Sequence, residues 1–447
     1  MSAVKTERYA EYKDSEVEWI GESPSHWLIA RNKDIFFERG SLSKNGDETL
    51  LTVSHITGVT RRSEKNVNMF MAETMEGYKH CKKSDLVINT MWAWMGALGT
   101  ANEDGICSPA YGVYAPKRFV PYNPRYFDYL YRTPSAISEM TRNSKGIVSS
   151  RLRLYPKDFF QILTALPPGS EQAAIADYLD TKIAKIDRKI DLLKLKAAQY
   201  GKLKQSLINE TITRGLDNSV PMKDSGVDWI GDIPEHWEVK RVLDVANLYN
   251  GNSLNDDLKE MYSDNSMPCL PYVGTKDIDI STYKADVKNG VYIPNSVSGY
   301  KIAPANSTLL CIEGGSAGRK MAFVRERVCF VNKLLCFAVI NSRAHSLYIH
   351  YFARSTHFAS KFNTCLTGLK DNYWGVTGQQ IRRFSVPIPP IAEQKQIAEY
   401  LDETNSRIDK VVASINTQID KLKELRKVLI NDVVTGKIKI VSEGAGV

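Results

Sequence analysis

Residues 14–27 read DSEVEWIGESPSHW, and residues 224–237 read DSGVDWIGDIPEHW; nine of the fourteen positions are identical at an offset of 210. A second pair stands at an offset of 222, PPGSEQAAIADYLD at 167–180 and PPIAEQKQIAEYLD at 389–402. A third keeps that offset, with Leu207, Ile208 and Asn209 against Leu429, Ile430 and Asn431. Three matched blocks in one order make the chain two half-proteins of roughly 200 residues each, and an internal repeat of this kind decides the architecture before any single element does.

Each half opens on the WIG…P..HW frame, runs through short mixed patterns, and closes on Pro-Pro, Glu-Gln and a long helical stretch. The middles differ almost completely: Ile88-Asn89-Thr90-Met91-Trp92-Ala93-Trp94-Met95-Gly96 against Cys311-Ile312-Glu313-Gly314-Gly315-Ser316-Ala317-Gly318. A kept frame with changed contents is the pattern of two modules with one scaffold and two targets.

No proline occurs between Pro168 and Pro221. Ile175, Leu179, Ile183, Ile186, Ile190, Leu193, Ala197, Tyr200, Leu203 and Leu207 step by fours and threes, an apolar stripe along one helix face. Ser170 is expected to cap its start, with Glu171 in the first turn. Their counterparts at the second offset are Ile397, Leu401, Asn405, Ile408, Val412, Ile415, Ile419, Leu422, Leu425 and Leu429, apolar except for Asn405, and a polar residue in such a seam sets register. A helix of some 40 residues is about 60 Å long. Helical stability comes mostly from packing the apolar face, so each stripe is expected to pack on the other, antiparallel, rather than flat onto its own half. The predicted fold is mixed α/β: two similar globular domains (1–165 and 213–387) separated by two long antiparallel coiled-coil helices (166–212, and 388–447 with the tail), related by a pseudo-two-fold. Trp19, Trp27, Trp229 and Trp237, with His26 and His236, sit in the frame and are assigned to packing.

The net charge of +8 is spread along the chain; it permits nucleic-acid binding without requiring it. No run of 18 apolar residues exists to span a membrane, the N-terminus has no signal-peptide core, and the expected location is cytoplasmic. The seven cysteines form no CxxC pair and sit mostly among apolar neighbours, as buried thiols do.

In the modules, Asp85–Ile88, Thr308–Ile312, Cys329–Val331 and Leu335–Val339 read as buried strands, and Phe127–Leu130 and Tyr348–Phe352 as short helices. Each module carries a turn after a strand (Asn89–Gly96, Glu313–Lys320) and a polar loop before its exit (Thr141–Gly146, Thr367–Tyr373). Loops on a rigid frame are where binding residues gather. Arg, Lys and Asn read base edges or meet phosphates. The candidate DNA-binding residues are Arg142, Asn143, Lys145 and Arg151 in the first module, and Arg319, Lys320, Lys370, Asn372 and Tyr373 in the second. Trp92 and Trp94, flanked by Met91 and Met95, fit core, a protein interface or an apolar wall beside DNA.

Several common catalytic signatures are missing. There is no Asn-Pro-Pro, no Pro-Asp and no HExxH, and Gly314–Lys320 fails the phosphate-loop pattern because no glycine directly precedes Lys320.

These features together resemble the specificity subunit of type I restriction-modification enzymes, over essentially the whole chain. The carriers are Trp19-Ile20-Gly21…His26-Trp27, Trp229-Ile230-Gly231…His236-Trp237, Pro167-Pro168…Glu171-Gln172 and Pro389-Pro390…Glu393-Gln394. The resemblance implies two target-recognition domains, near 20–165 and 235–385, each reading half of a split sequence in double-stranded DNA, with spacer helices near 170–212 and 392–435. It implies no catalytic site and no cofactor in this chain. Two modification subunits would bring the adenine methyltransferase sites and S-adenosylmethionine, and restriction subunits would bring ATP and Mg. One departure is Ala173-Ala174 in the first helix against Lys395-Gln396 in the second, so the two docking surfaces need not be equivalent. Two other readings stay open: an assembly scaffold that binds no DNA, and the specificity subunit of a system that only methylates. An enzyme of unrecognised type is a third.

Overall fold

The computed structural model describes residues 5–65, 74–148, 151–263, 265–340, 342–369 and 373–441. The chain divides into two compact units, Met1–Leu192 with Gln418–Val447, and Leu193–Thr417.

In the first unit the frame is a turn between two short strands, Tyr12–Asp14 and Glu22–Pro24. The Val17 carbonyl accepts from the amides of Ile20 and Gly21, and Gly21 then takes φ +69°, a left-handed conformation open to glycine at little cost. This turn buries Trp19 and Trp27. Strand Leu28–Arg31 follows and pairs with Leu163–Leu166, so the first and last strands of the module meet. Between them lies an antiparallel four-stranded sheet in the order Leu98–Thr100, Leu86–Asn89, Tyr111–Pro116, Phe36–Glu38. Helices Pro124–Tyr131 and Pro134–Arg142 each begin with proline behind a capping side chain. Asn123 accepts from the amides of Arg125 and Tyr126, and Thr133 from that of Ala136. Their inner faces supply Tyr126, Phe127, Leu130 and Tyr131 to an aromatic core with Phe36 and Phe159.

The second unit repeats this plan. Met222–Asp224 pairs with Asp232–Pro234, Glu238–Arg241 with Ser385–Ile388, and the helix pair recurs as Ser346–Ala353 and Thr356–Thr364. Its main sheet runs Ala246–Asn250, Leu334–Val339, Ser307–Cys311, Met321–Val324. A further four-stranded sheet includes a parallel pair, Cys269–Val273 with Val328–Phe330. The predicted strands and helices fall where the sequence pattern placed them, to within a few residues at their ends.

The two long helices are Gly169–Arg214 and Ile391–Val434, and they pack together. In the first unit Ile175, Leu179 and Ile183, from the start of one, share the module core with Val433 and Val434, from the end of the other; Arg426 reaches Asp187 at 3.4 Å. In the second unit the end of the first helix (Ile208, Ile212) packs with the start of the second (Ile397, Ala398, Leu401), and Lys204 Nζ lies 2.6 Å from Asp409. Both pairings are antiparallel. Ile190, Ile408, Ile415 and Asn405 are buried, whereas Ile186, Leu193 and Val412 are half-buried. The expected stripe fails at two of its positions: Leu203 is 46% and Leu425 53% exposed, and the buried face passes instead to Ile208 and Ile212. A seven-residue repeat drifts about 20° per heptad around an α-helix, so a stripe extrapolated over the whole length leaves the seam. The first helix starts at Gly169, which puts Ser170 inside the first turn rather than ahead of it.

The repeated sequence blocks are one another's partners. Glu171 accepts hydrogen bonds from the Trp27 indole (3.0 Å) and the Tyr9 hydroxyl (2.9 Å) and sits 2.6 Å from His26 Nε2. Glu393 does the same for the Trp237 indole (3.1 Å) and His236 (2.8 Å). The buried Gln172 donates to the Pro167 and Pro121 carbonyls and accepts from the Asn123 amide; Gln394 donates to the Pro389 carbonyl and accepts from the His345 amide. Both helices stop at a left-handed glycine, as helix C-termini often do: Gly215 (φ +75°) and Gly436 (φ +79°). A Cβ on Gly436 would lie 2.4 Å from Pro24 Cδ and 3.0 Å from the Trp27 ring, and one on Gly215 3.2 Å from the Trp237 ring.

All seven cysteines are free thiols. Among the described residues no helix is long and apolar enough to cross a membrane, and no group of three His, Cys, Asp or Glu stands ready to hold a metal ion.

Burial alone would raise the Glu171 carboxyl, but hydrogen bonds from His26, Trp27 and Tyr9 outweigh it and hold the group below its usual value of 4.5. The clamp's contribution is therefore fully present above pH 4.5 and is lost as the pH falls through the lower folded-state value. Glu171→Ala is expected to cost about 1–3 kcal/mol by stranding the buried indole N–H, and to flatten the acid limb of the stability–pH curve. Chemical denaturation of the full chain at neutral and acid pH measures both, and an unchanged acid limb rules out the clamp as its source.

Candidate nucleic-acid interface

In each unit the central strand of the main sheet runs out into a turn, and the segment before the module's exit returns along it. In the first, the Leu154 amide donates to the Thr90 carbonyl at 3.0 Å. In the second, the Val376 amide donates to the Ile312 carbonyl at 3.0 Å, and the Gly314 amide to the Trp374 carbonyl at 2.9 Å. Leu154 and Thr90 map onto Val376 and Ile312 at the same offset of 222, so the two tips are built on one register. The structure thus brings together the two stretches of each module that the sequence singled out separately.

The first tip is a loop closed by mutual backbone hydrogen bonds between Lys145 and Arg153 (2.8 and 2.9 Å), with Ile147 fully solvent-facing. Lys145 is exposed, its ammonium 3.9 Å from Asp158; Arg151 and Arg153 are exposed, and the Arg153 guanidinium reaches the Met91 sulfur at 3.5 Å. Gly96 closes the facing turn at φ +79°, where a Cβ would collide with Ile137 Cδ1 at 2.6 Å. Trp94 turns its indole N–H back onto the Met91 carbonyl, while Trp92 and Met95 face solvent. The core reading of Trp92 is thereby removed.

Arg142 and Asn143 stand lower down. The predicted polar loop from Thr141 begins inside a helix that continues to Arg142. Arg142 lies between Glu18 (2.8 Å) and Glu139 (3.2 Å), and the Asn143 amide caps the helix end through the Glu139 carbonyl and carboxylate.

In the second tip the stretch read as a polar loop is a hairpin, Thr367–Leu369 with Tyr373–Gly375. Lys370 and Asn372 lie outside the described residues, and Tyr373 contributes its backbone to the hairpin. Arg319 is exposed on the facing turn, whereas Lys320 donates to the Thr275 carbonyl at 2.8 Å. Arg153 and Trp374 were missed by the sequence reading. Carrying the 222 offset through the variable stretch would have found Trp374, because its counterpart, Leu152, lies between the candidates Lys145 and Arg151 on one side and Arg153 on the other.

Beneath the tips the contents differ. Asp128 takes the Thr100 amide and Arg132 in the first module; burial raises its carboxyl against the pull of Arg132. The matching pair in the second is His350, kept neutral by burial and by the charges of Arg354 and Arg325, and Arg354, stacked 4.0 Å over Tyr283. Lys395, which replaces Ala173, lines a cavity of about 440 Å³ with Arg325 and His345.

Residues 234–424 match the type I restriction modification DNA specificity domain. Among curated proteins, the chain is 22% identical over 295 residues to the type I restriction enzyme MjaVIII specificity subunit of Methanocaldococcus jannaschii, covering 64% of each chain. It is 24% identical over 217 residues to the StySPI specificity subunit of Salmonella potsdam, covering 46% of this chain and 44% of that one. The chain therefore spans a little under two-thirds of the first relative's length. Among solved structures, a chain from a study of complex assembly and conformational transition in the type I R-M system superposes with a TM-score of 0.69 at 15% identity, covering 92% of this chain and 98% of that one. The HsdS subunit from Thermoanaerobacter tengcongensis superposes at 0.54 with 16% identity, covering 93% and 98%. With its matched domain, its relatives and its twice-built frame taken together, the chain is similar to the specificity subunits of type I restriction-modification enzymes.

Proposed function

We propose that this chain reads a bipartite target in double-stranded DNA, one half-site per module, and holds the two readers at a set spacing through its helix pair. It acts without a catalytic centre or cofactor of its own, in the cytoplasm. Two modification subunits bring adenine methyl transfer and S-adenosylmethionine, and restriction subunits with ATP and Mg join for cleavage. The readers are residues 1–165 and 213–387; the spacers are 166–212 and 388–447. The observation that carries this reading is the tip built twice on one register with different side chains, which is what two half-sites of different sequence require. The names of the relatives, each a specificity subunit, support it.

The spacing role draws support from the two ion pairs between the helices. The step along the chain from Asp187 to Lys204 equals the step from Asp409 to Arg426, so both pairs fall on one antiparallel register. In that register residues 197–203 face residues 410–416, within the second unit. Deleting both heptads shortens each helix by about 10 Å, and is expected to shorten the unread gap by about three base pairs, at 3.4 Å per step, with both half-sites kept. Sequencing of methylated adenines in a host carrying the complex reads the gap directly; an unchanged gap removes the spacing role.

Phosphate contacts set affinity and salt dependence, whereas base contacts set sequence. Arg151→Ala and Arg319→Ala, in the complex with modification subunits, are each expected to lower the slope of log affinity against log salt by about one if they meet phosphate. Arg142→Ala, whose charge is already paired, is expected to leave that slope unchanged. Filter binding across a salt series measures the three. A complex that assembles yet binds no DNA at any salt would turn the reading to an assembly scaffold.

A further inference from the structure

Among the described residues, each module exposes a tryptophan at its tip, one from the turn and the other from the returning hairpin. Trp92, 45% exposed, stands on the turn of the first module. Its counterpart at the 222 offset is Gly314, at φ +80° with open space where a Cβ would stand. Trp374, 63% exposed, stands on the returning hairpin of the second module. Its counterpart is Leu152. In the second tip positions 314 and 374 are directly bonded, Gly314 amide to Trp374 carbonyl. In the first, Leu154 on Thr90 makes the matching start of the crossing, while the Trp92 amide turns onto the Asn89 carbonyl. Both modules thus present a tryptophan at the tip, from the turn in one and from the returning hairpin in the other.

The fold has no use for either ring. Neither joins a hydrophobic cluster, and neither indole N–H has a partner among the described residues. Trp94, in the same turn as Trp92, shows the contrast, since its N–H is satisfied internally. Exposed cations stand nearby: Lys145, Arg151 and Arg153 at the first tip, where Asp158 lies 3.9 Å from Lys145, and Arg319 at the second, on the turn that also carries Glu313. An apolar ring set among cations suits a polyanion that also offers apolar surface, which is the description of a DNA groove, with thymine methyls and base steps between rows of phosphate.

We propose that Trp92 and Trp374 are the base-contacting anchors of the two readers: each ring packs against base pairs of its own half-site and sets discrimination there, while the neighbouring cations hold phosphates. This rests on the reading of the chain as a bipartite DNA reader. The test uses the complete complex in a host, with methylated adenines sequenced genome-wide and the rates on matched and single-mismatch duplexes compared in vitro. Trp92→Ala is expected to relax discrimination by roughly 5- to 150-fold at a position in one half-site, leaving the other half-site and the gap as they were. Trp374→Ala is expected to do the same to the opposite half-site. Phenylalanine at either position keeps the original half-site. Should an alanine variant lose all methylation, recovery by phenylalanine supports the ring contact and failure to recover overturns it. Alanine variants that leave discrimination unchanged at both half-sites overturn the proposal while the DNA-reading function stands. So does loss of modification subunits on co-purification with discrimination intact, which would make the rings a protein interface. Absence of any bipartite methylation by the unaltered complex would instead strike the function itself.

Discussion

Each unit is organised by a single buried indole with two obligations. Trp27 donates its N–H to Glu171, at the start of one long helix, and covers Gly436, at the end of the other. Trp237 does the same with Glu393 and Gly215. A ring that meets the start of one helix and the end of the other fits two helices that run in opposite directions side by side. The antiparallel pairing therefore does not rest on the apolar seam alone; the frame supports it too. The seam is loose by comparison, with Ile186, Leu193 and Val412 only half-buried and the buried Asn405 amide without a well-formed hydrogen bond among the described residues. Burying an unpaired amide has a free-energy cost, and it is consistent with a seam selected for register over strength.

That division of labour explains why the module interiors are free to change. Glu171, Gln172 and their counterparts bind the frame and the loop ahead of the helix pair, so the polar contacts of the junction do not involve the tip. The same position then holds a carboxylate bonded to an amide and an arginine in one module, and a neutral imidazole in the other. The tips inherit a common backbone register from the frame and vary in which strand carries the large side chain.

Much of this was legible in the sequence because the informative features were local or repeated. The frame, the Pro-Pro and Glu-Gln blocks, the two long helices and the short helix pair all announced themselves by spacing. The partnership between blocks did not, since nothing in a one-dimensional repeat says that Glu171 reaches back 144 residues to Trp27. The stripe was misplaced at Leu203 and Leu425 because seven residues do not make two whole turns of helix. The tips were only half legible. Residues 367–373 are polar enough to read as a loop, yet their ends belong to a hairpin, Thr367–Leu369 with Tyr373–Gly375, held by backbone hydrogen bonds that side-chain pattern does not report. Arg142 and Asn143 looked free because the acids that engage them, Glu18 and Glu139, come from the frame and from the turn before.

The central claim is that the two long helices pair antiparallel within each unit, where that unit's frame holds them. Zero-length amide coupling of the full chain tests it most directly, since Lys204 Nζ and the Asp409 carboxylate stand 2.6 Å apart. Arg426→Lys offers the second pair, with Asp187, to the same reagent. Peptide mass spectrometry is predicted to find both cross-links within single chains. Lys204 coupled only to other carboxylates, with neither pair recovered, would contradict the account.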